Sequence, residues 1–224
     1  MKLLAPCVAE FIGTFTLIFI GIGAIANMPG NLLGIAIAHG LAIAVMVTAT
    51  LHISGGQLNP AVSIALMVTG KITPREAAAF IISQLAGAVA AAAICSALFS
   101  ELIVKNGTPA LPASTSVAAG IVIEAILTFF LVFVIFGTGV DSRGRGGTTG
   151  LAIGFTVTLD ILFGGPLTGA AMNPARTFGP ALIANFWQHH YVYWIGPIAG
   201  GILAGVVYNT LFLRTIKSEP AVKR

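Results

Sequence analysis

The stretch HISGGQLNPAVSIAL, residues 52–66, sets Ser, two Gly, Gln, Asn and Pro together inside a chain otherwise apolar enough for a bilayer. Nearly the same polar knot returns as LTGAAMNPARTFGPAL at 167–182. In each, Asn-Pro-Ala reads as a helix start. Asn is a favoured N-cap, and Pro at the first helical position gives up only an N–H that has no partner there. About ten residues follow each start, AVSIALMVTG at 61–70 and ARTFGPALIANF at 175–186. At 1.5 Å per residue such a helix is about 15 Å long, half of a hydrocarbon core about 30 Å thick. Each knot is therefore expected to be a re-entrant loop followed by a half-helix. Irregular backbone of this kind persists at membrane depth only where it is buried in protein or lines a water-filled cavity.

Working outward, the 224 residues are 57% hydrophobic and only 8% charged, against about 25% charged in an ordinary soluble domain. Six apolar runs lie near 6–26, 32–52, 76–99, 115–137, 150–164 and 190–213, and about 20 residues suffice to cross a bilayer. The fifth is short and runs straight into a Gly/Pro stretch. The first has no small-residue cleavage site and continues as a full crossing, so no secretory leader is expected. Cys7 and Cys95 both fall inside runs, which argues against a disulfide framework. The net charge of +4 invites a nucleic-acid reading, but its distribution opposes one. Nine of the eleven Lys and Arg (Lys2, Lys71, Arg75, Arg143, Arg145, Arg214, Lys217, Lys223 and Arg224) fall at the termini, between runs two and three, or between runs four and five. With six crossings these positions share one side, so both termini are expected in the cytoplasm. Lys105 falls on the other side, Arg176 falls in the second knot, and no nucleic-acid partner is expected.

The two knots belong to a duplication. AEFIGTFTLIF at 9–19 parallels IEAILTFFLVF at 123–133, each with one Glu near its start. Asn59 follows Glu10 by 49 positions, and Asn173 follows Glu124 by the same 49. The resulting offset of 114 also relates Gly40 to Gly154, Gly55 to Gly169 and Gly87 to Gly201. A single domain over 1–224 is expected, with internal repeats at about 5–105 and 115–215. Three crossings per repeat is an odd number, so the second copy enters the membrane from the opposite face as an inverted repeat. The half-helices then lie on opposite faces with their N-termini meeting near the midplane, where the positive ends of two helix dipoles converge.

The paired NPA boxes, the second extended to NPAR, together with AEFIGTF, HISGGQLNP and GPALIANF, resemble the aquaporin (major intrinsic protein) family over essentially the whole chain. The resemblance implies an all-α membrane protein of six transmembrane helices and two re-entrant half-helices. It implies a passive channel rather than an enzyme, commonly a homotetramer with one pore per subunit. The boxes are Asn59-Pro60-Ala61 and Asn173-Pro174-Ala175. Each Asn presents an amide NH2 donor at the meeting point. A water accepting from both has its lone pairs occupied and its hydrogens turned toward the two vestibules, which interrupts a proton wire. The expected partners are the lipid bilayer, water and small neutral solutes such as ammonia. No cofactor is expected, and the cell (plasma) membrane is the expected location.

Arg176 lies three residues after Asn173 and shares its face of the half-helix; a charge at such depth marks function by default. It resembles the arginine of the family's aromatic/arginine constriction, whose other positions carry over to His39, Ile161 and Ala170. A one-residue slip would choose Asp160 or Leu162 in place of Ile161. The set resembles plant tonoplast-type and ammonia-permeable members and implies an opening wider than a water-only filter. Glycerol-conducting members usually place Asp directly after NPAR; Thr177 there, with Ala181 and Tyr193–Trp194, resembles the water-type branch. A glycerol or urea facilitator of the same family is the alternative.

Glu10 and Glu124 lie within crossings and are expected to accept hydrogen bonds from the loop N–H groups of their own halves, which need partners once desolvated. Asp160 has no symmetry mate, the equivalent position being Met46. Two readings of it stand: facing a neighbouring subunit, or pairing with His39. His189 and His190 read as solvated loop histidines, and Asn106-Gly107-Thr108 fits a glycosylation sequon. A secondary transporter also uses inverted repeats and broken helices, but Arg176 beside the box is hostile to a coupling cation. His39, His52, His189, His190 and two separated cysteines offer no metal ligand set.

Overall fold

The computed structural model describes residues 3–213; Lys2, Arg214, Lys217, Lys223 and Arg224, part of the charge bias above, lie outside them. In chain order the helices are α1 (Leu4–Asn27), α2 (Leu32–Thr50), α3 (Pro60–Val68), α4 (Pro74–Leu98), α5 (Glu101–Gly107), α6 (Val117–Ile135), α7 (Thr149–Thr168), α8 (Pro174–Ile183) and α9 (Val192–Tyr208). π-helical turns at Phe136–Val140 and Asn209–Leu213 prolong α6 and α9. Among the described residues six helices are long and apolar enough to cross a membrane, and α3 and α8 are the half-helices. The molecule is an all-α membrane protein.

The ends are set locally. Asn31 caps α2 by accepting from the Gly34 N–H, and Ser116 caps α6 by accepting from the Ala119 N–H. Thr73 and Glu76 form a reciprocal capping box at the start of α4, with Pro74 at the first helical position. The fifth crossing differs from its sequence expectation. It is a full helix of 20 residues, because Gly164, Gly165 and Pro166 remain helical. Pro166 falls in the last turn, where it removes one intrahelical bond instead of breaking a ladder. Gly169, at φ 84°, then ends the helix with its N–H on the Gly165 carbonyl. The short α5 was not foreseen either. Its neighbour Thr108 is buried, with its hydroxyl donating to the Val104 carbonyl, so the sequon reads as a tight helix end.

The long helices pair as α1 with α4, α2 with α7, and α6 with α9. The α2–α7 crossing lies at Gly40 and Gly154, where a Cβ on either residue would strike the other's backbone carbonyl. These two helices therefore approach at backbone distance, at positions related by the 114-residue offset. On the side expected to be cytoplasmic, Arg143 pairs with Asp141 through its Nε and Nη2 atoms and donates to the Phe212 carbonyl. Tyr208 adds a hydrogen bond to Asp141. The Arg143 guanidinium holds the Asp141 carboxyl well below the usual carboxylate range. The latch between this loop and the end of α9 thus forms fully above the ordinary Asp pKa and is lost only as pH falls through the depressed value.

Candidate pore and constriction

The two knots meet as one construction. Asn59 caps α3 by accepting from the Ala61 N–H, with Pro60 at the first helical position. Asn173 caps α8 by accepting from the N–H groups of Ala175 and Arg176, with Pro174 next. Each amide also reaches across the duplication. Asn59 Nδ2 donates to the Met172 carbonyl at 2.8 Å, and Asn173 Nδ2 donates to the Leu58 carbonyl at 2.8 Å. One N–H of each NH2 group is committed to this brace, and both Asn residues border the central cavity.

The accepting carbonyls belong to strained residues. Leu58 and Met172, 114 positions apart, both have φ 52°, a left-handed conformation costly for a residue with a side chain. The carboxyls of α1 and α6 hold them there. Glu10 accepts from Ser54 Oγ at 2.5 Å, Gln57 N at 2.9 Å, Leu58 N at 2.6 Å and Gln84 Nε2 at 2.7 Å. Glu124 accepts from Thr168 Oγ1 at 2.7 Å, Ala171 N at 2.9 Å and Met172 N at 2.7 Å. The halves are not identical in detail. Gln84 also reaches Ser63 in the first half, whereas in the second the buried Tyr193 hydroxyl donates to the Thr168 carbonyl at 2.7 Å. Sequence reasoning missed Gln84; an amide in the middle of an apolar crossing was the available signal.

His39, Ile161, Ala170 and Arg176 line one narrow cavity with Asn59 and Asn173, its walls completed by apolar side chains such as Ile43, Val157 and Leu131. The cavity measures about 30 Å³, room for one or two waters. A second opening of about 440 Å³, bordered by α5 and the residues after it, reaches Ile161 and Arg176 from the other end. His39 Nδ1 lies 2.8 Å from the Ile35 carbonyl, which can only accept, so Nδ1 carries the proton. Nε2 is then an acceptor and lies 3.4 Å from Arg176 Nη2. The ring packs over Gly21, where a Cβ would collide with Nε2. His39 therefore orients Arg176 as well as lining the cavity. Arg176 is buried, and its Nε and Nη1 donors have no protein partner.

The pairing of Asp160 with His39 is not formed, since both ring nitrogens of His39 have other neighbours. Asp160 instead faces a crevice between α6 and α7, away from the central cavity. Nor is His190 a solvated loop residue. Its Nε2 accepts from Trp194 Nε1 at 3.0 Å, Trp187 packs edge-on against its ring, and burial pushes its pKa down.

The family model for major intrinsic proteins matches residues 1–208. Aquaporin TIP4-4 of Zea mays is 44% identical over 95% of this chain and 88% of its own length. The chain belongs to the major intrinsic protein (aquaporin) family. Members are channels rather than enzymes. Probable aquaporin TIP3-2 of Arabidopsis thaliana is 38% identical over 95% of the chain and 85% of its own length. Aquaporin-4 of Mus musculus is also 38% identical, over 96% of the chain and 69% of its own. The aquaglyceroporin from Plasmodium falciparum superposes with a TM-score of 0.85, covering 96% of this chain and 98% of its own, at 23% identity. That likeness is one of fold.

In an aquaporin, a cavity this narrow makes a small added group costly to flow. Ala170 has a fully buried methyl group on the cavity wall. Replacing it with Cys is expected to leave a reduced but measurable water flow and to make it sensitive to a small methanethiosulfonate reagent. The parent should resist that reagent. A modified Ala170→Cys protein that conducts undiminished would remove Ala170 from the constriction.

Proposed function

We propose that the protein is a passive water channel that excludes protons and ions and also passes ammonia. The observation that carries this reading is the crossed pair of Asn amides at the convergent N-termini of α3 and α8. Both Asn residues line the same narrow cavity, and each amide keeps a second N–H to offer there. A water there accepts twice, its lone pairs are used, and its hydrogens turn away from each other, so no continuous donor chain runs through it. The positive ends of two helix dipoles add a barrier to hydronium and metal cations.

His39, Ile161, Ala170 and Arg176 form the selectivity ring in this proposal. Arg176, steadied by His39, offers two further donors to a solute oxygen or nitrogen. Ile161 contributes an aliphatic wall, and Ala170 projects no further than a methyl group. The narrow cavity supports water and ammonia over glycerol or urea, the alternative within the family. Glu10 and Glu124 are loop supports here, with both knots held in the shape that presents the amides. We further propose a homotetramer with both termini in the cytoplasm. The plasma membrane expected from the sequence finds no support among relatives that carry the TIP designation.

The test is stopped-flow light scattering on proteoliposomes together with a pH-sensitive dye. Osmotic water permeability should exceed that of empty vesicles by at least about tenfold, with an activation energy close to that of free diffusion. No proton current should accompany it. A protein-dependent proton leak at neutral pH, with water flow intact, would sink the proposal.

A further inference from the structure

The wall of the central cavity is built in pairs related by the 114-residue offset. Leu17 and Leu131 both line it, as do Ile43 and Val157, and Val47 and Ile161. Every member of these pairs is aliphatic. His39 and Arg176 break the pattern, for their repeat mates are Ile153 and Val62. All four line the cavity, so a ring and a guanidinium stand where the other copy is aliphatic. A third residue departs with them. Gly21 of α1 corresponds to Ile135, whose side chain also forms part of the wall.

At Gly21 the space a side chain would fill holds the His39 ring. A Cβ there would meet Nε2, Cε1 and Cδ2 of the imidazole, its three nearest atoms, all at 3.0 Å or less. Non-bonded carbon atoms settle at about 3.5–4.0 Å, so the ring would have to move. It has no neutral way to do so. His39 is 2% exposed, and turning the ring breaks the 2.8 Å hydrogen bond between Nδ1 and the Ile35 carbonyl. Sliding it off Gly21 moves the wall of a cavity that measures only about 30 Å³. The same slide shifts Nε2 against Arg176 Nη2, now 3.4 Å away. Glycine in a helix interior is a weaker helix former than alanine, and here the close approach of the ring accounts for it.

We propose that Gly21 is a positioning residue for solute selection. By withholding a side chain it seats the His39 ring where the ring both walls the passage and faces Arg176, and so sets the ratio of ammonia to water flow. The inference rests on the reading of His39 and Arg176 as members of the selectivity ring. Gly21 acts only through the imidazole, and its effect therefore exists only while the imidazole is there.

The experiment is a double-mutant cycle on the full-length channel in proteoliposomes, with ammonia and water permeabilities measured on the same vesicles. The four proteins are the parent, Gly21→Ala, His39→Ala and the double variant. Gly21→Ala should lower the ammonia-to-water ratio by about tenfold, the low end of what one methylene discriminates in a pocket. In the His39→Ala background the same methyl enters space the ring has left, and the ratio should change by less than about twofold. A parental ratio in Gly21→Ala, or an equal fall in both backgrounds, overturns the proposal, since a packing role in α1 is indifferent to the ring. Should Gly21→Ala fail to accumulate, the double variant decides. Recovery of folded, conducting protein when the ring is removed supports the proposal, and failure of both overturns it. The ring reading is tested separately by His39→Ala alone. A parental ratio there sinks that reading and this inference together, whereas a shifted ratio without coupling to Gly21 sinks this inference alone.

Discussion

Glu10→Ala is expected to abolish osmotic water flow and to prevent accumulation of folded protein, with Glu124→Ala nearly as severe. Glu10 is fully buried and answers four donors, two of them backbone N–H groups of the first knot. Its loss leaves Gln57 N and Leu58 N buried and unpaired, at about 1–3 kcal/mol each. The left-handed strain at Leu58 loses its restraint, and the side chains of Ser54 and Gln84 lose an acceptor. The total approaches the roughly 5–15 kcal/mol that separates a folded protein from its unfolded chain. Glu10→Gln is the sharper test. One amide oxygen can still serve Ser54 and Gln57, but the NH2 would face the Leu58 N–H, donor to donor. It should fold in reduced yield with water permeability down at least about tenfold. Yield would be measured by size-exclusion chromatography and flow by stopped-flow scattering. Wild-type flow in Glu10→Gln would remove the carboxyl from the role given to it.

The second large effect concerns ammonia. Wild-type vesicles in an ammonium gradient should alkalinise several-fold faster than empty ones, in proportion to the unprotonated fraction. Neutral NH3 carries no charge into the field of Arg176 and the helix ends, whereas NH4+ does. His39→Phe combined with Ile161→His should lower ammonia permeability by about tenfold, the low end of what one altered pocket group can discriminate. Water should fall much less. His39→Phe alone removes the acceptor facing Arg176 Nη2, so the single change is expected to disturb water flow more than the double one. There the new imidazole can take over the arginine. An unchanged ammonia-to-water ratio in the double variant would remove these two positions from solute selection.

What the sequence disclosed was whatever depends on near neighbours and on spacing. Asn-Pro at a helix start is a local rule, and the caps at Asn59 and Asn173 follow it. The 114-residue offset made the two Glu-to-loop contacts readable in advance, because one half predicts the other. The fifth crossing was read as short because Gly-Gly-Pro punctuates most helices. Its place in a last turn, closed by Gly169, depends on helix phase rather than on residue type. The brace between knots escaped notice because it pairs a side chain with a backbone carbonyl, and carbonyls carry no residue signature. Gly21 beneath His39 is of the same kind, since a glycine gives no hint of which ring will fill the space above it. Asp160 stood out in the sequence as an oddity, but which side of α7 it occupies depends on how that helix is rotated against its neighbours.

The brace also constrains how the protein is made. Asn59 finds its acceptor 113 residues further along the chain, and the Leu58 carbonyl waits 115 residues for its donor. At about 5–20 residues per second a ribosome needs roughly 6–23 seconds to cover that distance. Through this interval the crossings already made exist with a polar loop that has nothing to close against. The nascent half must hold that loop at the membrane surface, or shelter it inside the insertion machinery, until its counterpart emerges. Truncation anywhere between Asn59 and Met172 should therefore leave an incomplete molecule that quality control recognises, whatever the apolarity of the crossings it retains.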